Sequence, residues 1–123
     1  MSLRLALAAA LLLICSGCGS SSNPSPAPSP TPSGNGTPVT IVNGASGLST
    51  TAFAPNPVTV TAGGAVTWTN SDGTTHNITA NNGSFASGSM APGRTFTMTF
   101  PTSGTIAYRC TIHPQMTGTI TVQ

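Results

Sequence analysis

The 123-residue chain contains no lysine and no glutamate. Its charges are Arg4, Arg94, Arg109 and Asp72, with a formal net charge of +2 at pH 7. A chain without a basic patch cannot neutralise phosphates, which excludes a nucleic-acid partner. The lone carboxylate excludes the paired acids of acid–base hydrolysis, because one group cannot serve as proton donor and base at once. Histidine is equally scarce, with two residues, and there are three cysteines. No internal repeat and no helix-period apolar run is present. Solubility falls to Thr, Ser and Asn instead of charge.

The first residues read as an export signal. Arg4 gives a positive start, and residues 5–14 form an apolar run too short to span a bilayer as a stable helix. Ser16-Gly17-Cys18 resembles the small-small-Cys end of a bacterial lipoprotein signal. Residues 1–18 are therefore expected to direct export and to end in lipidation at Cys18, placing the protein outside the cytoplasm. A lipid there would anchor it to a bacterial membrane surface, periplasmic or at the cell surface. Residues 19–38 are almost wholly Ser, Pro, Gly, Asn and Thr, which bury little apolar area and favour extended conformations, so they read as a tether.

Residues 39–123 carry a period of two. Val58 and Val60 alternate with Thr59 and Thr61, and Val66 and Trp68 with Thr67 and Thr69. Phe96, Met98 and Phe100 alternate with threonines, as do Ile120 and Val122; Ile106, Tyr108 and Cys110 keep the same spacing. Such alternation marks half-buried strands, and threonine, β-branched yet content in water, suits their outer faces. Turn signals separate the runs at Gly63-Gly64, Asp72-Gly73, Asn82-Gly83, Pro92-Gly93 and Ser103-Gly104. With further strands expected at residues 39–42 and 76–79, the pattern predicts an all-β, two-sheet Greek-key sandwich of about seven strands, present as a monomer.

Cys110-Thr111-Ile112-His113-Pro114-Gln115-Met116 follows one strand and precedes the last, and the other histidine, His76, lies beyond an earlier strand and turn. Taken singly, these residues have bland readings: Met116 as core filler, Cys110 as a small buried hydrophobe, a histidine as a polar loop residue. Together, two imidazoles, one thiolate and a thioether make the donor set of a mononuclear blue-copper site, three ligands in a plane with a weak axial Met. Cysteine usage agrees. Once Cys15 and Cys18 belong to the signal, Cys110 is the single thiol of an exported domain, and coordination would hold it as thiolate.

Over nearly all of residues 39–123 the sequence resembles the cupredoxins, particularly the plastocyanin, pseudoazurin and amicyanin group. The likeness is carried by Phe53-Ala54-Pro55, Gly64-Ala65-Val66-Thr67-Trp68-Thr69-Asn70, His76-Asn77, Pro92-Gly93, residues 104–110 and Met116-Thr117-Gly118. The short loop, with Pro114 directly after His113 and two residues between His113 and Met116, is most similar to that of amicyanin. The resemblance implies one copper ion held by His76, Cys110 and His113 with Met116 axial, and Asn77 bonded to Thr111 beside the thiolate.

That likeness implies a one-electron carrier and not an enzyme, with a donor and an acceptor redox protein as partners and no organic substrate. His113 is the expected electron port, rimmed by Ile112, Pro114 and Met90. Trp68 is expected in the core, not in an electron relay. The alternative is a copper storage or delivery protein using the same soft donors. A copper oxidase or nitrite reductase would need a second metal site, and both histidines are already used. An adhesion sandwich would bind no metal.

Overall fold

The computed structural model describes residues 36–123; the expected signal, the expected lipidation at Cys18 and most of the expected tether lie outside them. Eight strands follow in order: β1 Thr37–Ile41, β2 Phe53–Ala54, β3 Val58–Val60, β4 Ala65–Asn70, β5 Thr79–Ala80, β6 Thr95–Thr99, β7 Gly104–Arg109 and β8 Thr117–Val122. Among the described residues a single 3-10 turn occupies Ala45–Gly47. β1 begins at Thr37, inside the segment expected to be tether.

The strands form two four-stranded sheets, ordered β2-β1-β4-β6 and β3-β8-β7-β5. β1 runs parallel to β4, and β3 parallel to β8; the other pairs are antiparallel. From β2 to β7 every connection crosses from one sheet to the other, so residues distant in the chain meet at the ends of the sandwich.

Period-two patterning decides which face is buried. In β4, Val66, Trp68 and Asn70 are buried while Thr67 and Thr69 are not; in β8, Gly118, Ile120 and Val122 alternate in the same way. On the outer face Thr67 and Thr97 sit opposite each other and their hydroxyls hydrogen-bond at 2.8 Å. Such a cross-strand pair contributes about 0.2–1 kcal/mol and keeps the surface polar without charge. Between the sheets Trp68 stacks on Phe96 at 5.7 Å between ring centroids and meets Tyr108 edge-on at 5.5 Å. Trp68 is fully buried, the core role the sequence predicts for it.

Tyr108 pairs across β7 and β8 with Gly118. Its ring lies on that glycine so closely that a Cβ at position 118 would collide with it, so the residue must lack a side chain for the phenol to enter the core. Burial pushes the phenol up to about 12, and the Trp68 indole opposes part of that rise. Neither the Trp68 Nε1 nor the Tyr108 hydroxyl completes a hydrogen bond of good geometry.

One local expectation needs correction, and one strand was not expected. Residues 76–78 are not a strand: His76 forms an isolated bridge with Met90, and β5 starts only at Thr79. The reason is local pairing, since His76 and Met90 exchange backbone bonds at 3.1 and 2.8 Å and Ile78 is bonded to Ser87 through its N–H and its carbonyl. Conversely β2, two residues ahead of Pro55, is too short to show any periodicity.

Candidate metal centre

Four segments meet at one end of the sandwich: the end of β4, the loop from β4 to His76, the end of β7, and the loop from Cys110 to Met116 that enters β8. Asn70, the last residue of β4, is fully buried and organises the first two. Its Nδ2 donates to the carbonyls of Thr74 and Met90, both at 2.8 Å, and its Oδ1 accepts the Asp72 N–H at 3.0 Å. A buried amide with these partners fixes the path of the chain into His76.

The loop between β7 and β8 is pinned by its own backbone. Met116 N–H donates to the His113 carbonyl at 3.0 Å, and Cys110 N–H to the Met116 carbonyl at 3.1 Å. This curl brings Cys110 and Met116, both with no exposed surface, to the same end of the core and leaves His113 half-buried at the surface. Asn77 clamps the loop from the side: its Nδ2 donates to the Thr111 hydroxyl and its Oδ1 accepts the Thr111 N–H, each at 2.7 Å.

The donor atoms of His76, Cys110 and His113 converge, and these three residues form a cluster suited to a metal ion. His76 Nδ1 lies 3.1 Å from His113 Nδ1, and Cys110 Sγ lies 3.8 Å from the first and 3.9 Å from the second. The point equidistant from three atoms so spaced is about 2.1 Å from each by plane geometry, the length of a metal–imidazole bond. On its far side His76 Nε2 lies 2.7 Å from the Asp72 carboxylate. A carboxylate can only accept, so that nitrogen carries the hydrogen and Nδ1 presents a lone pair toward the cluster. Electron pairs aimed at one another across 3.1 Å repel unless a cation or a proton lies among them. Two imidazoles and a sulfur fit copper by their mixed softness.

Asp72 was not among the residues expected at the site, and its position is the main addition of the structure. Its carboxylate accepts from Gly44 N–H at 2.9 Å, Gly73 N–H at 2.8 Å, the Thr74 hydroxyl at 2.9 Å and His76 Nε2–H at 2.7 Å. The His76 bond, followed by that from Gly44, holds the carboxyl well below the usual carboxylate range despite burial. The signal available in the sequence was its singularity: the only acidic residue of the chain stands four positions before a histidine. In contrast, Met90, expected at the surface rim, is 2% exposed and packs in the core; Ile112 is 47% exposed and Pro114 is also exposed.

Comparison with known proteins agrees with this geometry. The chain is 39% identical over 84 residues to a plastocyanin of Scenedesmus fuscus, an alignment covering 58% of this chain and 86% of that protein. Among solved structures, a purple cupredoxin from Nitrosopumilus maritimus superposes with a TM-score of 0.66 at 31% identity, covering 71% of this chain and 99% of that one. A reduced Cu(I) amicyanin variant superposes with a TM-score of 0.60 at 25% identity over 73% of this chain and 84% of that one. A copper-containing nitrite reductase from Thermus scotoductus SA-01 shares the fold at 22% identity and a TM-score of 0.60, with 72% of this chain matching 22% of that one. Residues 39–123 match the model of the copper binding proteins of the plastocyanin/azurin family. The chain thus belongs to the plastocyanin/azurin family of copper-binding proteins and is a cupredoxin.

Proposed function

We propose that the chain is an extracytoplasmic one-electron carrier whose single copper ion is held by His76, Cys110 and His113, with Met116 as the axial donor. The observation that carries this reading is the convergence of three donor atoms at 3.1, 3.8 and 3.9 Å on buried or half-buried side chains. When bound, copper supplies the one-electron couple. The chain's own residues supply the rest. Asn70 and Asn77 hold the two ligand-bearing loops, the buried faces of Cys110 and Met116 exclude water, and His113 alone reaches the surface. An imidazole flanked by exposed Ile112 and Pro114 is a short path for an electron to a docked redox protein. With Arg94 and Arg109 as the exposed charges of the described residues, apolar docking with little electrostatic steering fits a donor and an acceptor of this kind.

Export and lipidation at Cys18 belong to the same reading. Residues 19–36 would then hold the domain off the membrane, as a chain of that composition can. Mass spectrometry of the membrane fraction should find an acylated N-terminal Cys18.

Absorption and paramagnetic-resonance spectra of the purified chain with one equivalent of Cu(II) test the function. An intense thiolate-to-Cu(II) band at one copper per chain is the expected result. A colourless site that holds only Cu(I) would overturn the carrier in favour of storage or delivery, and failure to bind copper would overturn both.

A further inference from the structure

The described residues bury three polar side chains, Asn70, Asp72 and His76, and all three fall within seven positions leading into the metal centre. Burying a carboxylate is costly unless its oxygens are satisfied. Asp72, 6% exposed, meets that demand with four hydrogen bonds, the shortest of them to His76. Placing the only carboxylate side chain of the whole sequence against a fully buried imidazole is a specific arrangement, not a solvated charge.

We propose that Asp72 is the positioning residue of the copper centre: it fixes His76 with its hydrogen on Nε2, leaving Nδ1 as the donor, and biases the site toward Cu(II). The inference rests on the reading of His76 as a ligand. The orienting action follows from the bond at 2.7 Å, because the opposite tautomer would set two lone-pair acceptors against each other there and turn a hydrogen on Nδ1 toward His113. The electronic action follows from charge. A hydrogen bond from imidazole to carboxylate makes the other ring nitrogen a stronger base, and a negative charge held nearby favours the more highly charged metal ion. Thr74 touches the same two groups through its hydroxyl, at 2.9 Å from Asp72 Oδ2 and 3.1 Å from His76 Nε2, but carries no charge.

Asp72→Asn separates charge from shape. Its remaining oxygen can serve either Gly44 and Gly73 or His76, and whichever orientation is adopted sets the new amide N–H against a donor. The test compares full-chain protein, D72N and T74V. Each is titrated with one equivalent of copper, followed by voltammetry, and nitrogen NMR of the imidazoles is recorded on the metal-free protein. The expected result for D72N is a rise in potential corresponding to about a tenfold loss of Cu(II)-over-Cu(I) preference, about 59 mV for one electron, with part of His76 shifted to the Nδ1–H tautomer. T74V should leave both readouts near the parent's. Equal potentials in D72N and the parent, or a rise in T74V matching that of D72N, would overturn the inference while the parent's blue band still upholds the ligand set. Should D72N fail to fold, the metal-free parent decides: a His76 protonated at Nδ1 refutes the role, and one protonated at Nε2 supports it. Loss of the blue band from the parent would instead sink the ligand reading itself.

Discussion

Asn77 and Thr111 are joined by two reciprocal hydrogen bonds of 2.7 Å, a clamp between the segment that carries His76 and the residue next to Cys110. Each bond contributes about 0.5–1.5 kcal/mol net, and water can replace part of that at so exposed a position. Asn77→Ala should therefore cost about 1–2 kcal/mol and lower the melting temperature by roughly 5–10 °C. Its sharper signature is faster loss of copper to a chelator, because the thiolate loop is freed on one side. Stopped-flow bleaching of the blue band measures this, and an unchanged release rate would leave the clamp without a role at the metal.

Cys110→Ser should abolish the intense colour and leave a folded sandwich. The thiolate supplies the charge-transfer transition, whereas Val66, Trp68, Phe96 and Tyr108 build the core without it. The parent should melt higher with copper than without, because an ion bound only to the folded state stabilises it by mass action. The serine variant should lose most of that increment, which calorimetry with and without copper resolves.

Gly118→Ala should destabilise the fold through a single methyl group. The new Cβ would meet the ring of Tyr108, which cannot retreat because Phe53 packs edge-on against it at 4.9 Å and Trp68 at 5.5 Å. Overpacking of this kind costs about 1–3 kcal/mol. Denaturant unfolding should show a lower midpoint with an unchanged slope. A midpoint equal to the parent's would mean that the ring shifts without penalty.

The strands whose outer face meets water were legible in the sequence, because β3, β4 and β8 alternate buried residues with threonines. The segment at residues 76–78 misled because Ile78 and His76 are buried at strand spacing, while their backbone pairs only with an irregular stretch ending at Met90. Convergence of His76, Cys110 and His113 was legible from donor chemistry, which needs no knowledge of the path between them. Asp72 was not. An aspartate in a Ser-Asp-Gly turn has the same appearance whether it faces water or an imidazole, and only the packing of Gly44 and Asn70 around it turns it inward. Met90 failed for a related reason: its side chain is committed to the core by the bridge its backbone makes with His76.

Tyr108 gives a pH dependence with a defined sign. Its phenol is pushed up to about 12 from an ordinary value of 10.0 by burial, against a smaller effect of Trp68. The folded protein therefore holds this proton more tightly than the unfolded chain does. The resulting stability is fully present below pH 10 and is lost as pH rises toward 12. Two pKa units correspond to about 2–3 kcal/mol. Because Tyr108 is the only tyrosine, tyrosinate absorbance reports it alone. Absorbance should stay flat to about pH 11 in the folded protein and rise near pH 10 in denaturant. Coincident titrations in the two states would show that the phenol reaches water.

Met116 as axial donor is the assignment that potential measurements test most directly. The side chain has no exposed surface, and its backbone closes the ligand loop through bonds to His113 and Cys110, so position alone does not distinguish a ligand from a core residue. Chemistry does. A thioether donates weakly and more usefully to Cu(II) than to Cu(I), so the axial group tunes the potential and leaves the colour to the thiolate. Met116→Leu removes the donor at nearly constant volume, should raise the reduction potential, and should keep the blue band. Met116→Gln supplies a harder oxygen, favours Cu(II), and should lower the potential below the parent's. A purely packing role predicts a different pattern, in which both variants lose up to about 1.5 kcal/mol of stability while their potentials stay together. Voltammetry of the three proteins beside their denaturation curves separates the two. Opposite shifts of Leu and Gln about the parent establish the thioether as ligand, whereas equal potentials in all three assign Met116 to the core and leave copper with His76, Cys110 and His113.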